Sequence, residues 1–192
     1  GAVVCRCAGH THRVSSVSYR HAGRLRARAR NDGTARLWDL ATGSPLRTFD
    51  QHVGRLWAAA FSPDASVLAT AGDDLVVRLW DPASGAPLAT LSGHTRRIWS
   101  LAFSPDGTRL ASCGDDGTAR LWDVSHAGET RLCVTLVAHD GGWAALAPDG
   151  GYKTGGDLAG EIWHVIGLCR FELGELDGHL DAVRRMPVDA PF

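Results

Sequence analysis

The chain has 192 residues, enough for one domain with its own core, and a formal net charge of −1 from 20 lysines and arginines against 21 aspartates and glutamates. This balance gives no general reason to bind nucleic acid or an anionic membrane, and no apolar run approaches the roughly 20 residues that span a bilayer. Five scattered cysteines, an odd number without zinc-ligand spacing, favour reduced thiols in a cytoplasmic protein, and nothing indicates a cofactor.

The first predicted strands carry a run of arginines. Residues 3–8 are expected to form the outer strand of a preceding unit, and residues 9–49 form a first unit whose third strand ends at Trp38-Asp39. Within this unit arginine alternates with other residues, so that four arginines fall on one face of a strand: Arg24, Arg26, Arg28 and Arg30. Two interpretations of Arg20 to Arg30 stay open. One is a basic stripe that binds an anionic partner, and the other, which we prefer, is a reading-frame error in a GC-rich codon run.

The second unit, residues 50–91, combines short apolar runs with tight turns. Residues 56–61 and 76–80 are predicted strands. Ser62-Pro63-Asp64 is a turn sequence, because proline presets φ and aspartate can bond its own backbone. Asp73-Asp74 marks a second turn.

The third unit, residues 92–136, is the most regular. Strands are predicted over 98–103, 118–122 and 130–136, and the second strand of the unit covers 109–113. Ser-Pro-Asp-Gly at 104–107 and Asp-Asp-Gly at 115–117 are the turns between them. Each unit is therefore predicted to contain four short antiparallel strands joined by hairpins.

The fourth unit, residues 137–176, departs from this pattern. Trp163 is followed by His164 rather than by aspartate, and the distance from His139 to Trp163 is 163 − 139 = 24 residues. Lys153 stands where the second and third units have threonine and serine. Atypical end units cap repeat arrays, so we expect this unit to be a cap, followed by a tail over 177–192.

A fixed spacing joins the units. Trp38, Trp80 and Trp122 each precede an aspartate and lie 42 residues apart (80 − 38 = 42 and 122 − 80 = 42). A period of this length is typical of propeller blades rather than of helical repeats. The periodicity also explains the recurring histidines and paired aspartates as structural. No catalytic or phosphate-binding motif is present, so we expect no enzyme activity, no catalytic residue and no metal site.

The pattern resembles the WD-repeat β-propeller family, with Gly-His near the start of a unit, a turn aspartate, and Trp-Asp at the end of the third strand. The resemblance implies an all-β fold of about four four-stranded antiparallel blades over 1–192. This is a partial propeller arc, because the family usually closes with seven. It also implies a buried hydrogen-bonded chain in each complete blade. Its members are His52, Thr70, Asp74 and Trp80 in the second unit, and His94, Ser112, Asp116 and Trp122 in the third. Arg28 and Lys153 take the serine or threonine position in the first and fourth units.

In such propellers the residues just after Gly-His and just before the turn aspartate lie on the narrow top face. The resemblance therefore implies a set of candidate partner-binding residues: Arg13, Arg55, Arg97, Trp57, Trp99, Asn31, Asp73 and Asp115. Arginine and tryptophan are enriched in binding hot spots, and arginines beside carboxylates would suit a peptide or an acidic loop. The alternative is that the two tryptophans pack between blades while arginine and aspartate pair on the surface.

The last 50 or so residues resemble the closing part of large actinobacterial WD-repeat signalling proteins. This implies a protein-interaction scaffold or ligand-sensing module at the C-terminus of a bacterial signalling protein, with an NTPase, kinase or protease-like domain upstream. The alternative is a structural or degenerate fragment with no partner of its own. An open arc exposes the apolar faces of its terminal blades, so self-association is also expected.

Overall fold

A computed structural model describes residues 14–19, 25–30, 32–126, 128–157, 163–166, 169–172 and 184–189. These residues form strands and turns, which confirms the all-β prediction. No described segment is a helix with the length and apolar character that crossing a membrane takes.

The strands follow the predicted units. The first contains β1 (Val14–Tyr19), β2 (Leu25–Arg30), β3 (Ala35–Asp39) and β4 (Pro45–Phe49), and the second contains β5 (Leu56–Phe61), β6 (Leu68–Gly72), β7 (Val76–Trp80) and β8 (Pro87–Ser92). The third contains β9 (Ile98–Phe103), β10 (Arg109–Gly114), β11 (Thr118–Asp123) and β12 (Arg131–His139). After these come β13 (Gly142–Leu146), β14 (Gly151–Gly156), β15 (Trp163–Ile166), β16 (Cys169–Glu172) and β17 (Arg184–Arg185).

Two compact units divide the chain. Unit 1 comprises the residues up to Asp116 together with Asp123–Arg131, and unit 2 comprises Gly117–Trp122 and the residues from Leu132 onwards. In unit 1, β1 to β4 and β5 to β8 each form a four-stranded antiparallel sheet in chain order, and β9 pairs with β10. These sheets have the strand composition predicted for propeller blades.

The core of unit 1 joins the first two sheets through small and aromatic side chains. The Phe49 and Trp80 rings lie 5.2 Å apart between centroids. Every residue of β6 is buried, and a Cβ built on Gly72 would lie 2.0 Å from the Arg55 carbonyl oxygen. Only glycine therefore fits at that position. In β2, Ala27 and Ala29 are buried, while Arg26 lies over the Tyr19 ring at 5.1 Å from Cζ to the centroid.

Aspartates shape the turns at the ends of the strands. The carboxylate in each Trp-Asp pair accepts the backbone N–H two residues on, at 2.8, 2.8 and 3.1 Å for Asp39, Asp81 and Asp123. In the Ser-Pro-Asp turn, Asp64 accepts the Ser62 hydroxyl at 2.6 Å and the Ser66 N–H at 3.0 Å. These bonds, that from Ser62 first, lower the pKa of Asp64 to about 2. The aspartate of the Trp-Asp pair is thus a turn-forming residue.

Unit 2 differs from the four-stranded unit expected over 137–176. Its larger sheet has the order β17-β14-β13-β12-β11, and β17 pairs in parallel with β14, with Tyr152 opposite Arg185. The strand that begins at Trp163 instead pairs with β16 in a separate two-stranded sheet. The segment expected as a C-terminal tail thus supplies the strand next to β14, where the repeat pattern expects β15.

Candidate functional site

A chain of hydrogen bonds runs through the second repeat. The Trp80 indole Nε1 lies 2.7 Å from the Thr70 hydroxyl, and that hydroxyl lies 2.7 Å from His52 Nε2. His52 Nδ1 lies 3.0 Å from the Asp74 carboxylate. The four residues proposed for this repeat from sequence therefore contact one another in series. Thr70 and Trp80 are buried, and the His52 side chain is 1% exposed.

The direction of each hydrogen bond follows from the chemistry of the groups. An indole N–H can only donate, so the Thr70 hydroxyl accepts from Trp80 and gives its own proton to His52 Nε2. The histidine proton then lies on Nδ1 and is donated to Asp74. Every buried polar group in the series has a partner, and the loss of one partner would leave a group unsatisfied at a cost of about 1–3 kcal/mol.

Arg78 adds a contact that the repeat pattern did not predict. Its Nη1 donates to Asp74 Oδ2 across one turn of β7. Burial alone would raise the pKa of Asp74, but the hydrogen bond from His52 and the Arg78 guanidinium outweigh it, so the pKa lies below its usual value. The alternating pattern of β7 could have indicated this pair, because Arg78 is the one charged residue in the strand.

The third repeat shows the same bonds within unit 1. His94 Nδ1 donates to Asp116 Oδ2 at 2.8 Å, and the Ser112 hydroxyl donates to His94 Nε2 at 2.8 Å. The Thr95 backbone N–H donates to the same carboxylate at 3.0 Å. Trp122, the fourth member of the predicted set, is buried in unit 2.

The serine or threonine position differs in the other two repeats. The side chain of Arg28 and that of His139 lie outside the described part of the structure. Lys153 is only 6% exposed, and its Nζ donates to the Val188 carbonyl at 3.2 Å. A lysine thus replaces the hydroxyl in β14 and bonds to the C-terminal segment.

A second group of residues forms a surface cluster on neighbouring repeats of unit 1. In the third repeat, Arg97 Nε and the Trp99 indole N–H both donate to the Asp115 carboxylate, and Arg97 Cζ lies 4.7 Å from the centre of the Trp99 ring. The hydrogen bond from Trp99, and after it the Arg97 guanidinium, lower the pKa of Asp115. These three side chains fix one another in place.

The second repeat carries the equivalent residues. The Trp57 indole N–H donates to Asp73 Oδ1 at 2.7 Å, and the backbone N–H of Arg55 lies 3.3 Å from Asp73 Oδ2. Trp57 also contacts Trp99, with 4.7 Å between ring centroids and a 54° tilt. We call the set Arg55, Trp57, Asp73, Arg97, Trp99 and Asp115 the top-face cluster.

The cluster brings together six of the eight candidate partner-binding residues. Arg13 and Asn31 lie outside the described residues. Both features of the packing alternative are present, since the tryptophans touch and Arg97 pairs with Asp115. Trp99 nevertheless remains 43% exposed. The sequence interpretation missed two apolar residues beside the cluster, Val53 and Leu75, although a leucine where the third repeat has Gly117 was a detectable signal.

Metal chemistry has no visible site in the part of the chain that is described, because no three histidine, cysteine, aspartate or glutamate side chains converge there. The paired aspartates are engaged in turns, indole hydrogen bonds and the histidine contacts. The arrangement can therefore offer a surface of indole rings and guanidinium groups.

Comparison with known proteins identifies the repeats. The family model described as "WD domain, G-beta repeat" matches residues 1–39, 43–81 and 85–123. The chain is also 41% identical over 61 residues to "WD repeat-containing protein SL1-17" from Schistosoma mansoni. That alignment covers 32% of this chain and 20% of the relative, so the chain matches about a fifth of the length of that protein.

Proposed function

The chain belongs to the WD-repeat family, whose repeat model matches more than half of its residues, and from this premise we propose that it is an interaction module that binds a protein or peptide through the top-face cluster. Repeats of this family generally mediate protein–protein interactions. They are typically non-catalytic, and we propose no enzymatic role for this chain.

One observation carries the proposal: Trp99 is held in a fixed orientation and is still largely exposed. Its indole N–H is bonded to Asp115, one face is covered by Arg97 and an adjacent surface by Trp57. An exposed aromatic side chain that is already ordered loses little conformational entropy when a partner covers it. Tryptophan and arginine in such a position are the residue types that contribute most to binding energy.

Alanine substitution at Arg55 and Arg97 tests the proposal. The variant chain and the original chain are each used as bait, and captured proteins are compared quantitatively. We expect partners of the original chain to be lost from the double variant while its melting temperature stays close to the original. An Arg131→Ala variant is the matched control, because this exposed arginine lies in unit 1 away from the cluster. Equal capture by the double variant would contradict the proposal.

The wider setting is a further part of the proposal. The resemblance of the C-terminal segment supports a bacterial signalling protein of the cytoplasm, with an NTPase, kinase or protease-like domain ahead of this chain, in which the repeats act as scaffold or ligand sensor. The gene sequence upstream of the Gly1 codon tests this. An open reading frame that encodes such a domain would support it, and an unrelated domain would overturn it.

A second candidate function is a structural or degenerate fragment that only self-associates. Large apolar side chains exposed in β1 and β4 favour it, namely Val17, Tyr19 and Leu46. Size-exclusion chromatography with light scattering distinguishes the two. A monodisperse monomer with one cooperative melting transition would rule out self-association, and an oligomer that captures no partner would favour the fragment.

A further inference from the structure

The charged groups of the top-face cluster are not equally available to a partner. Asp73 accepts the Trp57 indole N–H, and Asp115 accepts both Trp99 and Arg97. The guanidinium groups of Arg55 and Arg96 are exposed and form no ion pair with any described residue. The carboxylates are therefore occupied, and the groups left for a ligand are cationic.

Two exposed apolar residues lie next to these arginines. Val53 is 78% exposed and Leu75 is 36% exposed. Val53 follows His52 and Leu75 follows Asp74, and His52 Nδ1 and the Asp74 carboxylate are 3.0 Å apart. The next residue after Val53, Gly54, approaches Asp73 so closely that an added Cβ would lie 3.0 Å from the Asp73 Cβ. Val53 and Leu75 thus border the cluster on the side of the second repeat.

Leu75 also has an unfavourable backbone conformation. Its φ is 69°, whereas the equivalent positions of the first and third repeats hold Gly33 at 79° and Gly117 at 75°. A left-handed conformation is strained for a leucine, and glycine adopts it without that cost. The chain therefore places an exposed apolar side chain at a turn where glycine would be more stable.

We propose that the ligand of this surface is an acidic peptide segment in which an apolar side chain lies between carboxylates. This proposal rests on the proposed function and names the partner's chemistry. The apolar side chain packs on Leu75, Val53 and the exposed part of Trp99. The flanking carboxylates pair with Arg55 and Arg96, whose planar guanidinium groups match a carboxylate in two-point hydrogen bonding. A basic segment would meet the same two cations and be repelled.

Fluorescence anisotropy with dye-labelled nine-residue peptides tests the ligand class. One peptide alternates glutamate with leucine, a second replaces glutamate by glutamine, and a third replaces leucine by serine. We expect the first to bind about ten-fold or more tightly than either of the others, and to weaken as salt is raised. Tighter binding of the neutral peptide, or no binding of the acidic one, overturns the inference. Partner capture by the Arg55 and Arg97 variants remains an independent measure of the proposed function.

Charge reversal locates the acidic contacts. Arg55→Glu with Arg96→Glu should abolish binding of the glutamate–leucine peptide, whereas Arg131→Glu, an exposed arginine elsewhere in unit 1, should leave it unchanged. Equal affinities in both variants would overturn the assignment.

Leu75→Gly separates binding from folding. It removes the apolar contact and also the strained conformation, so the melting temperature should stay the same or rise while peptide affinity falls about five-fold or more. Ala65→Gly is the matched control, because Ala65 also has a positive φ of 59°, in the Ser62 turn of the same repeat. That control should keep full affinity. Unchanged affinity in Leu75→Gly would contradict the proposal.

Discussion

In the second repeat a threonine hydroxyl connects histidine to tryptophan, whereas in the fourth repeat a lysine takes the same strand position. Thr70 lies 2.7 Å from both His52 Nε2 and Trp80 Nε1, in a sheet of four consecutive antiparallel strands. Lys153 instead donates to the Val188 carbonyl, and β14 pairs with β17 rather than with the strand of Trp163.

The difference follows from donor and acceptor capacity. A hydroxyl accepts one hydrogen bond while it donates another, so it can connect an indole N–H to an imidazole. An ammonium group only donates, so it cannot accept from tryptophan and must find an acceptor elsewhere when buried. A backbone carbonyl of the C-terminal segment meets that need. One side chain in the second strand thus distinguishes a locked blade from a sheet completed by a distant segment.

The largest effect is expected when the lysine is copied into the second repeat. Thr70→Lys would bury an ammonium group without a carbonyl partner and leave the Trp80 and His52 groups unsatisfied. The free energy of unfolding should fall by about 3–5 kcal/mol, as for an uncompensated buried charge. Chemical denaturation measures it. Thr70→Ser keeps the hydroxyl and should cost far less, so equal losses in the two variants would refute the hydrogen-bonded chain.

The reciprocal change, Lys153→Met, should release the C-terminal segment while leaving the rest of the chain intact. It removes the bond to Val188 but also removes a buried charge, so global stability should change by about 1 kcal/mol or less. The Met186 N–H, which donates to the Tyr152 carbonyl at 2.7 Å, should exchange faster with solvent deuterium. Amides of β13 serve as the internal reference. Unchanged protection at Met186 would show that Lys153 does not hold the segment.

Acid should weaken the second repeat through Asp74. The pKa of this carboxyl is lower in the folded chain than its ordinary unfolded value of about 3.9, so its contribution is complete above that value and is lost as the pH falls below it. Thermal melts between about pH 5 and pH 2 should therefore show a decline that is shallower in Asp74→Asn. Parallel curves for the two proteins would contradict this role.

Much of the fold could be predicted because its signals are local. Alternating apolar residues and turn sequences lie within a few residues of one another, so the predicted strands 56–61 and 76–80 coincide with β5 and β7. The candidate cluster could be predicted as a set of positions for the same reason, since each position is fixed by its distance from Gly-His or from the turn aspartate.

The remaining features depend on non-local contacts. The two-residue strand β17 has no periodic pattern, and its partner β14 lies some thirty positions earlier in the chain. The contact between Trp57 and Trp99 joins neighbouring repeats, so sequence alone left both of its interpretations open. Leu75 was recognisable only as a leucine at a glycine position, and its φ of 69° gives that substitution its meaning.

Trp99→Ala tests the central claim most directly, with the free energy of unfolding and the affinity for the glutamate–leucine peptide measured on the same protein. Because Trp99 is 43% exposed, the loss of stability should be about 1 kcal/mol, the smallest expected here, while the affinity falls about ten-fold or more. A loss of about 3–5 kcal/mol, the cost of truncating a core tryptophan, with the affinity unchanged would contradict the account and assign Trp99 to packing between repeats.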